Sequence, residues 1–248
     1  MIMKGSWQIF WSASKDETTI SYNGKALQLG RWQRGMVQAM EDLESQLKEI
    51  SGGKLFPLTI SPDDDGEELV REEYGYSWLT NSCLMQQAGQ QLYELIGSNL
   101  VKHTKDGEVV FNRVKCHALE VKLHLCRKLI FFLVISAVAP PVDTQKVLDI
   151  RIVNGERQRN LFKFCGKSLL IFMESKRISQ ATLDGFECNH IPPRLSRALD
   201  YFMVLTQASE RVIAKQLYSC SSLELYKQYL FVSFGRRLTV EECRRTFR

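Results

Sequence analysis

The feature that most constrains this 248-residue chain is the apolar run Leu129 to Ala139, which is followed at once by Pro140-Pro141. Eleven residues fall well short of the ~18 that a bilayer span requires, so the run predicts a buried helix and no membrane crossing. Helical patterning extends it back to Val114, giving one long core helix over Val114 to Ala139. Pro140-Pro141 ends that helix, because proline lacks the N–H of the helical ladder and clashes with the preceding turn.

The segments on either side can be placed around this helix. Thr18 to Tyr22 alternates apolar and polar, and Asn23-Gly24 supplies the positive φ values of a tight turn, which predicts a small β-hairpin. From Leu29 to Ile50, Trp32, Met36, Met40, Leu43 and Leu47 recur at helical spacing until Gly52-Gly53 stops the helix. A polar loop with Pro57 and Pro62 follows, then a helix over Cys83 to Ile96, then two short strands about the turn Lys105-Asp106-Gly107. Beyond the core helix come a short helix at Val142 to Leu148 and the polar run Asn154 to Asn160. Asn160 to Phe164 and Leu169 to Met173 read as strands joined through Cys165-Gly166-Lys167, with a third strand at Phe186 to Ile191. Pro193 suits the first residue of a helix striped by Leu195, Leu199, Phe202, Leu205 and Val212. Thr239 with Glu242 forms a capping box for a last helix. The expected fold class is mostly α with a small antiparallel β-sheet (α+β). It divides into an N-terminal helical segment with small β-hairpins, 1–110, and a second domain, 111–248.

Charge narrows the partner. Net charge is +5, but residues 1–75 hold 8 Lys/Arg against 13 Asp/Glu, a balance of −5, leaving 25 against 15, or +10, for residues 76–248. Such a basic body fits a polyanion, since neutralisation of phosphates by Lys and Arg dominates nucleic-acid affinity. Arg157, Arg159, Lys163, Lys167, Lys176 and Arg177 cluster around the predicted hairpin with few carboxylates between them, the composition of a phosphate-tracking surface. Arg194, Arg197, Arg236, Arg237, Arg244 and Arg245 add later charge. Seven cysteines without paired spacing do not form a disulfide framework and suit a reducing compartment. The first ten residues lack the continuous apolar core of a secretory signal.

Other motifs dissolve on inspection. Gly166-Lys167-Ser168 lacks the upstream glycine of a nucleotide-binding loop, with Leu161 in its place, and precedes a strand rather than a helix. Asp63-Asp64-Asp65-Gly66 with Glu72 has part of a calcium-loop spacing, but Pro57 and Pro62 break the entering helix. His117 and His124 share a helix face, but at about 100° per residue Cys116 lies about 100° from His117 and Cys126 about 200° from His124, so the four cannot converge on one metal. Cys188 and His190 share one face of a strand and read as structural. No cofactor and no metal site are expected.

The stretch Ser136 to Arg177 carries a resemblance. Val138-Ala139-Pro140-Pro141-Val142-Asp143-Thr144-Gln145-Lys146, the polar run to Asn160, the aliphatic hairpin with Lys176, and Ile191-Pro192-Pro193 follow one another in the order of a tyrosine-recombinase active site. Thr18 to Tyr22, Gly75-Tyr76-Ser77-Trp78-Leu79, Tyr229-Leu230-Phe231-Val232 and Gly235-Arg236-Arg237-Leu238-Thr239 are further matches, spread over nearly the whole chain. In these the chain resembles the recombinase-like region of large fungal open reading frames that often carry RecQ-type helicase segments, related to Crypton-type mobile elements.

The resemblance implies a recombinase-like domain over 111–248, a duplex DNA partner, a nuclear location in preference to a cytoplasmic one, and Lys176 as candidate general acid for the leaving 5′ oxygen. Two departures limit the chemistry it implies. Val142 stands where the family has an arginine, and the chain stops at Arg248 before a His-x-x-Arg pair or a terminal tyrosine, so the domain is expected to be incomplete at its C-terminus. The leading expectation is a DNA-binding, catalytically degenerate remnant of a mobile-element recombinase. The alternatives are a DNA breaking and rejoining enzyme completed by another subunit or a longer isoform, an accessory part of a RecQ-type helicase gene product, and an interaction module without DNA. Oligomeric state is not legible in the sequence.

Overall fold

A computed structural model of the chain describes residues 10–13, 18–22, 25–53, 71–81, 97–103, 109–137, 143–173 and 186–245, with 90, 94 and 106 besides. Strands β1 (Phe10–Ala13), β2 (Thr18–Tyr22) and β3 (Lys25–Gln28) form an antiparallel sheet in that order. Tyr22 pairs with Lys25, the register of a hairpin with a two-residue connection. The turn residues Asn23 and Gly24 themselves lie outside the described residues.

Helix α1 (Leu29–Ile50) buries Ala39, Met40, Leu43, Leu47 and Ile50, a stripe at helical spacing. It ends as the glycines dictate. Gly52 and Gly53 take φ of 65° and 84°, and their N–H groups return to the carbonyls of Glu49 and Lys48 at 3.1 and 2.8 Å, a Schellman closure that satisfies two end carbonyls. After α2 (Trp78–Asn81), β4 (Val101–His103) pairs with β5 (Val109–Phe111).

Helix α3 (Arg113–Ala137) is the long core helix. Its first half buries one face through Cys116, Glu120 and Leu123, while Leu129, Ile130, Phe131, Leu133 and Val134 are all buried, as the apolar run requires. Pro140, Pro141 and Val142 lie outside the described residues. Asp143 then caps α4 (Thr144–Leu148), its carboxylate accepting from the Gln145 N–H at 2.9 Å.

A second antiparallel sheet has the order β6 (Leu161–Phe164), β7 (Lys167–Met173), β8 (Phe186–His190), the three strands the sequence predicts. Helix α5 (Pro193–Leu217) starts on its proline and buries Leu195, Leu199, Phe202 and Leu205; the side chain of Val212 is not among those described. Helix α6 (Cys220–Gln228), the small hairpin β9 (Val232–Ser233) with β10 (Arg236–Arg237), and α7 (Val240–Arg244) complete the order. The capping box of Thr239 and Glu242 is formed. The chain is thus mostly helical with small antiparallel sheets.

One core joins α1, α3, α5 and α7, from Ala39 and Leu43 through Leu123 and Ile130 to Phe202, Phe231 and Cys243. Residue 110 is therefore not a boundary of the core, and the segment before it packs into the same interior as the segment after it. Among the described residues no helix is long and apolar enough to cross a membrane. The Cys83 to Ile96 segment falls largely, and the Asp63 to Asp65 loop wholly, outside the described residues.

Candidate nucleic-acid interface

The segment after α4 is held extended against the C-terminal part of the chain. Ile152 N–H donates to the Gln228 carbonyl at 2.9 Å and Leu230 N–H to the Ile150 carbonyl at 3.0 Å, so Arg151 faces Tyr229 in an antiparallel bridge. Ile150, Ile152 and Val153 are buried, which leaves Arg151 as the side chain of this stretch turned to the surface. Its guanidinium donates to the Tyr229 hydroxyl at 2.7 Å and lies 4.9 Å from the ring centre. Arg237, from β10, sits 4.4 Å from the same ring and pairs with Asp149. Tyr229 thus positions two guanidiniums from distant parts of the chain.

The polar run Asn154 to Asn160 forms the neighbouring wall. Its shape comes from hydrogen bonds to 71–77: Gly75 N–H to the Asn154 carbonyl at 2.8 Å, Asn154 N–H to the Tyr76 carbonyl at 2.9 Å, and Asn154 Nδ2 to the Arg71 carbonyl at 2.8 Å. Arg159 donates to Asn154 Oδ1 at 2.9 Å, and its guanidinium is stacked between Tyr76 and Phe162 at 4.7 and 4.6 Å. Asn160 ties the wall to the second sheet, its Nδ2 donating to the Ile171 carbonyl at 3.1 Å and its Oδ1 accepting from Arg151 N–H at 3.3 Å.

These walls enclose a cleft of about 590 Å³ lined by Lys146, Arg151, Arg157, Arg159 and Arg237, with Asp149 the one carboxylate among the described residues. Phe162, Ile171, Phe172 and Tyr229 supply its apolar lining. Arg157 is exposed, and burial lowers the Arg237 pKa from its ordinary value without removing its charge. Five cations and, among the described residues, one carboxylate give the cleft an excess of positive charge, and guanidiniums held flat on rings present fixed forks of N–H donors.

The expected site residues separate here. Arg157 and Arg159 line the cleft, Arg159 as a largely buried support, and Lys167 is exposed at the start of β7. Lys163 is a correction. It is fully buried, bonded to Asp200 at 2.5 Å, Ser168 at 2.9 Å and Ser196 at 3.1 Å, and it lies 5.6 Å from the Trp78 ring centre, so it cannot touch DNA. Strand alternation explains this: Lys163 lies between the cleft-facing Phe162 and the exposed Phe164 and turns inward. Lys176 and Arg177 lie outside the described residues, as does Val142.

Several later arginines are matched locally instead of being gathered at one surface. Arg194 makes a two-pronged pair with Glu44 at 2.8 and 2.7 Å, Arg236 one with Glu242 at 3.0 and 2.6 Å, and Arg245 bonds Glu241 at 3.1 Å. Glu242 is held down at about 2, chiefly by Arg236. Cys116 and Cys126 are buried, burial pushing the Cys126 thiol up to about 12, whereas His117 is exposed and His124 packs against Phe234 at 5.0 Å. Sequence reasoning did not join Lys146, Arg151, Tyr229 and Arg237 into one site. The one signal for them was the high density of Arg near an aromatic, which does not say which helices fold back.

No protein-family model, no curated protein and no solved structure matches this chain.

Proposed function

We propose that the chain binds DNA through this cleft and leaves the strand intact, as a recombinase-like scaffold that retains phosphate binding without strand cleavage. The observation that carries the reading is the charge of the cleft: Lys146, Arg151, Arg157, Arg159 and Arg237 surround Asp149, which Arg237 already neutralises. Phosphate oxygens are the anions that such planar donors fit best. Duplex DNA is the expected partner, with Lys167, Lys176 and Arg177 extending the contact surface, and a nuclear location follows from that partner. The absence of cleavage rests on Val142. A valine offers no hydrogen bond where the resembled family places an arginine, and losing one transition-state donor typically lowers a rate about a hundred- to a thousandfold.

The test is binding of the full chain to labelled duplex across a salt series. The expected log affinity falls linearly with log salt, by a slope of about 0.9 per neutralised phosphate. No measurable binding even at about 50 mM salt would remove the reading. A suicide substrate that traps covalent protein–DNA adducts tests the second half; an adduct on any tyrosine would show that the chain cleaves.

A further inference from the structure

The sheet β6-β7-β8 has two faces of opposite character. Leu161, Lys163, Ser168, Leu170, Phe172 and Asn189 are all buried and form the inner face. The register puts the alternate residues together on the other side: Phe164 opposite Lys167, Phe162 opposite Leu169, Leu169 opposite His190, and Ile171 opposite Cys188. There Phe164 is 51% exposed, Lys167, Cys188 and His190 are exposed, Leu169 and Ile171 are half-buried, and Phe162 is buried beneath the Arg159 guanidinium. Phe162 and Ile171 also line the basic cleft, so this outer face and the cleft are continuous. The turn between β6 and β7 is two residues, Cys165 and Gly166, both at positive φ, which fixes Phe164 at the hairpin tip instead of letting it fold back onto the core.

We propose that this outer face receives the unpaired bases of a single strand, Phe164 stacking on a base while the adjoining arginines hold the backbone. The inference rests on the cleft being a DNA phosphate site and adds to its duplex contact a second one, made only where bases are unpaired. A duplex shows phosphates and sugars along its exterior, against which an exposed phenyl ring and branched aliphatics gain little. An unstacked base offers a flat π surface, and antiparallel sheets carrying aromatics beside basic residues are suited to it. Stacking of this kind tolerates any base, so the site reads strandedness and not sequence.

The test compares labelled oligothymidine with the duplex it forms with its complement, using the full chain and the variants Phe164→Ala and Phe164→Trp. Phe164→Ala is expected to weaken oligothymidine binding about fivefold or more and to leave duplex binding within about twofold, with Phe164→Trp restoring the single-strand affinity. Because Phe164 is exposed at a turn, the variant retains the fold, which its thermal transition checks. Equal loss on both ligands, or no loss on either, overturns the single-strand inference and leaves the cleft reading standing. Absence of salt-dependent binding to both ligands for the unaltered chain overturns the two together.

Discussion

Arg157 and Lys163 stand six residues apart in one basic stretch, yet they end in opposite environments. Arg157 is exposed on the wall of the cleft, while Lys163 is sealed inside with Asp200, Ser168 and Ser196. The difference comes from the sheet. Up to Asn160 the chain is a loop whose form is set by backbone bonds to 71–77, so its side chains need not alternate. From Leu161 onward the strand turns each second residue inward, and an inward cation persists only because α5 brings a carboxylate to meet it. A run of basic residues is therefore not a uniform surface: backbone geometry and the position of one carboxylate decide which cation is structural and which is available.

The largest expected effect breaks the structural half of this pair. Lys163→Met leaves Asp200 buried without its counter-ion and should cost about 3–5 kcal/mol of stability in a denaturant titration. Adding Asp200→Leu should recover most of the loss, because two apolar groups replace a buried ion pair. A single variant as stable as the original would place Lys163 at the surface after all.

A second buried ionic site gives a pH dependence. Glu210 pairs with the buried guanidinium of Arg127, which also bonds the Leu230 carbonyl at 2.9 Å, and Glu120 adds a second buried carboxylate whose charge acts on Glu210. Glu120 accepts from Tyr226 at 2.6 Å and from Tyr218, and burial raises both phenol pKa values above the usual range. Burial likewise pushes Glu210 up to about 7 from the usual 4.5, with Arg127 opposing and Glu120 adding to the rise. Asp200 is raised in the same sense by burial, to about 6 from 3.8. Between pH 4.5 and about 7 the unfolded chain has released the Glu210 proton and the folded chain still holds it. Stability from this group therefore falls as pH rises through that window. Glu210→Gln keeps a polar partner for Arg127 and should flatten the decline; a slope unchanged from the original would assign it to other carboxylates.

The smallest effect on stability sharpens the other half. Arg157→Ala should leave folding within about 0.5 kcal/mol, as for an exposed side chain. It should also reduce the salt slope of duplex binding by about 0.9, the value for one lost phosphate contact.

Much of the architecture was legible because it depends on local rules. Gly52-Gly53 closing α1, Pro193 opening α5, the Thr239–Glu242 capping box and the three strands about Cys165-Gly166 each follow from residues a few positions apart. The site was legible only in part. Arg157 and Arg159 declare themselves by density, but Arg151 and Arg237 meet over Tyr229 only after α5 and α6 have reversed the chain, and no local pattern encodes that meeting. Lys163 misled for the reverse reason: its partner Asp200 lies 37 residues away on another element.

The central claim is that the cleft, and not the basic stretch as a whole, holds the DNA backbone. Its most direct measurement is duplex affinity against salt for three proteins: the original chain, Arg151→Ala/Arg157→Ala, and Lys163→Met/Asp200→Leu. The account predicts that the cleft variant loses affinity and about 1.8 units of slope, two phosphate contacts, while the core variant, once shown to be folded, binds as the original does. A folded cleft variant with unchanged slope, or a folded core variant that loses slope, would contradict it.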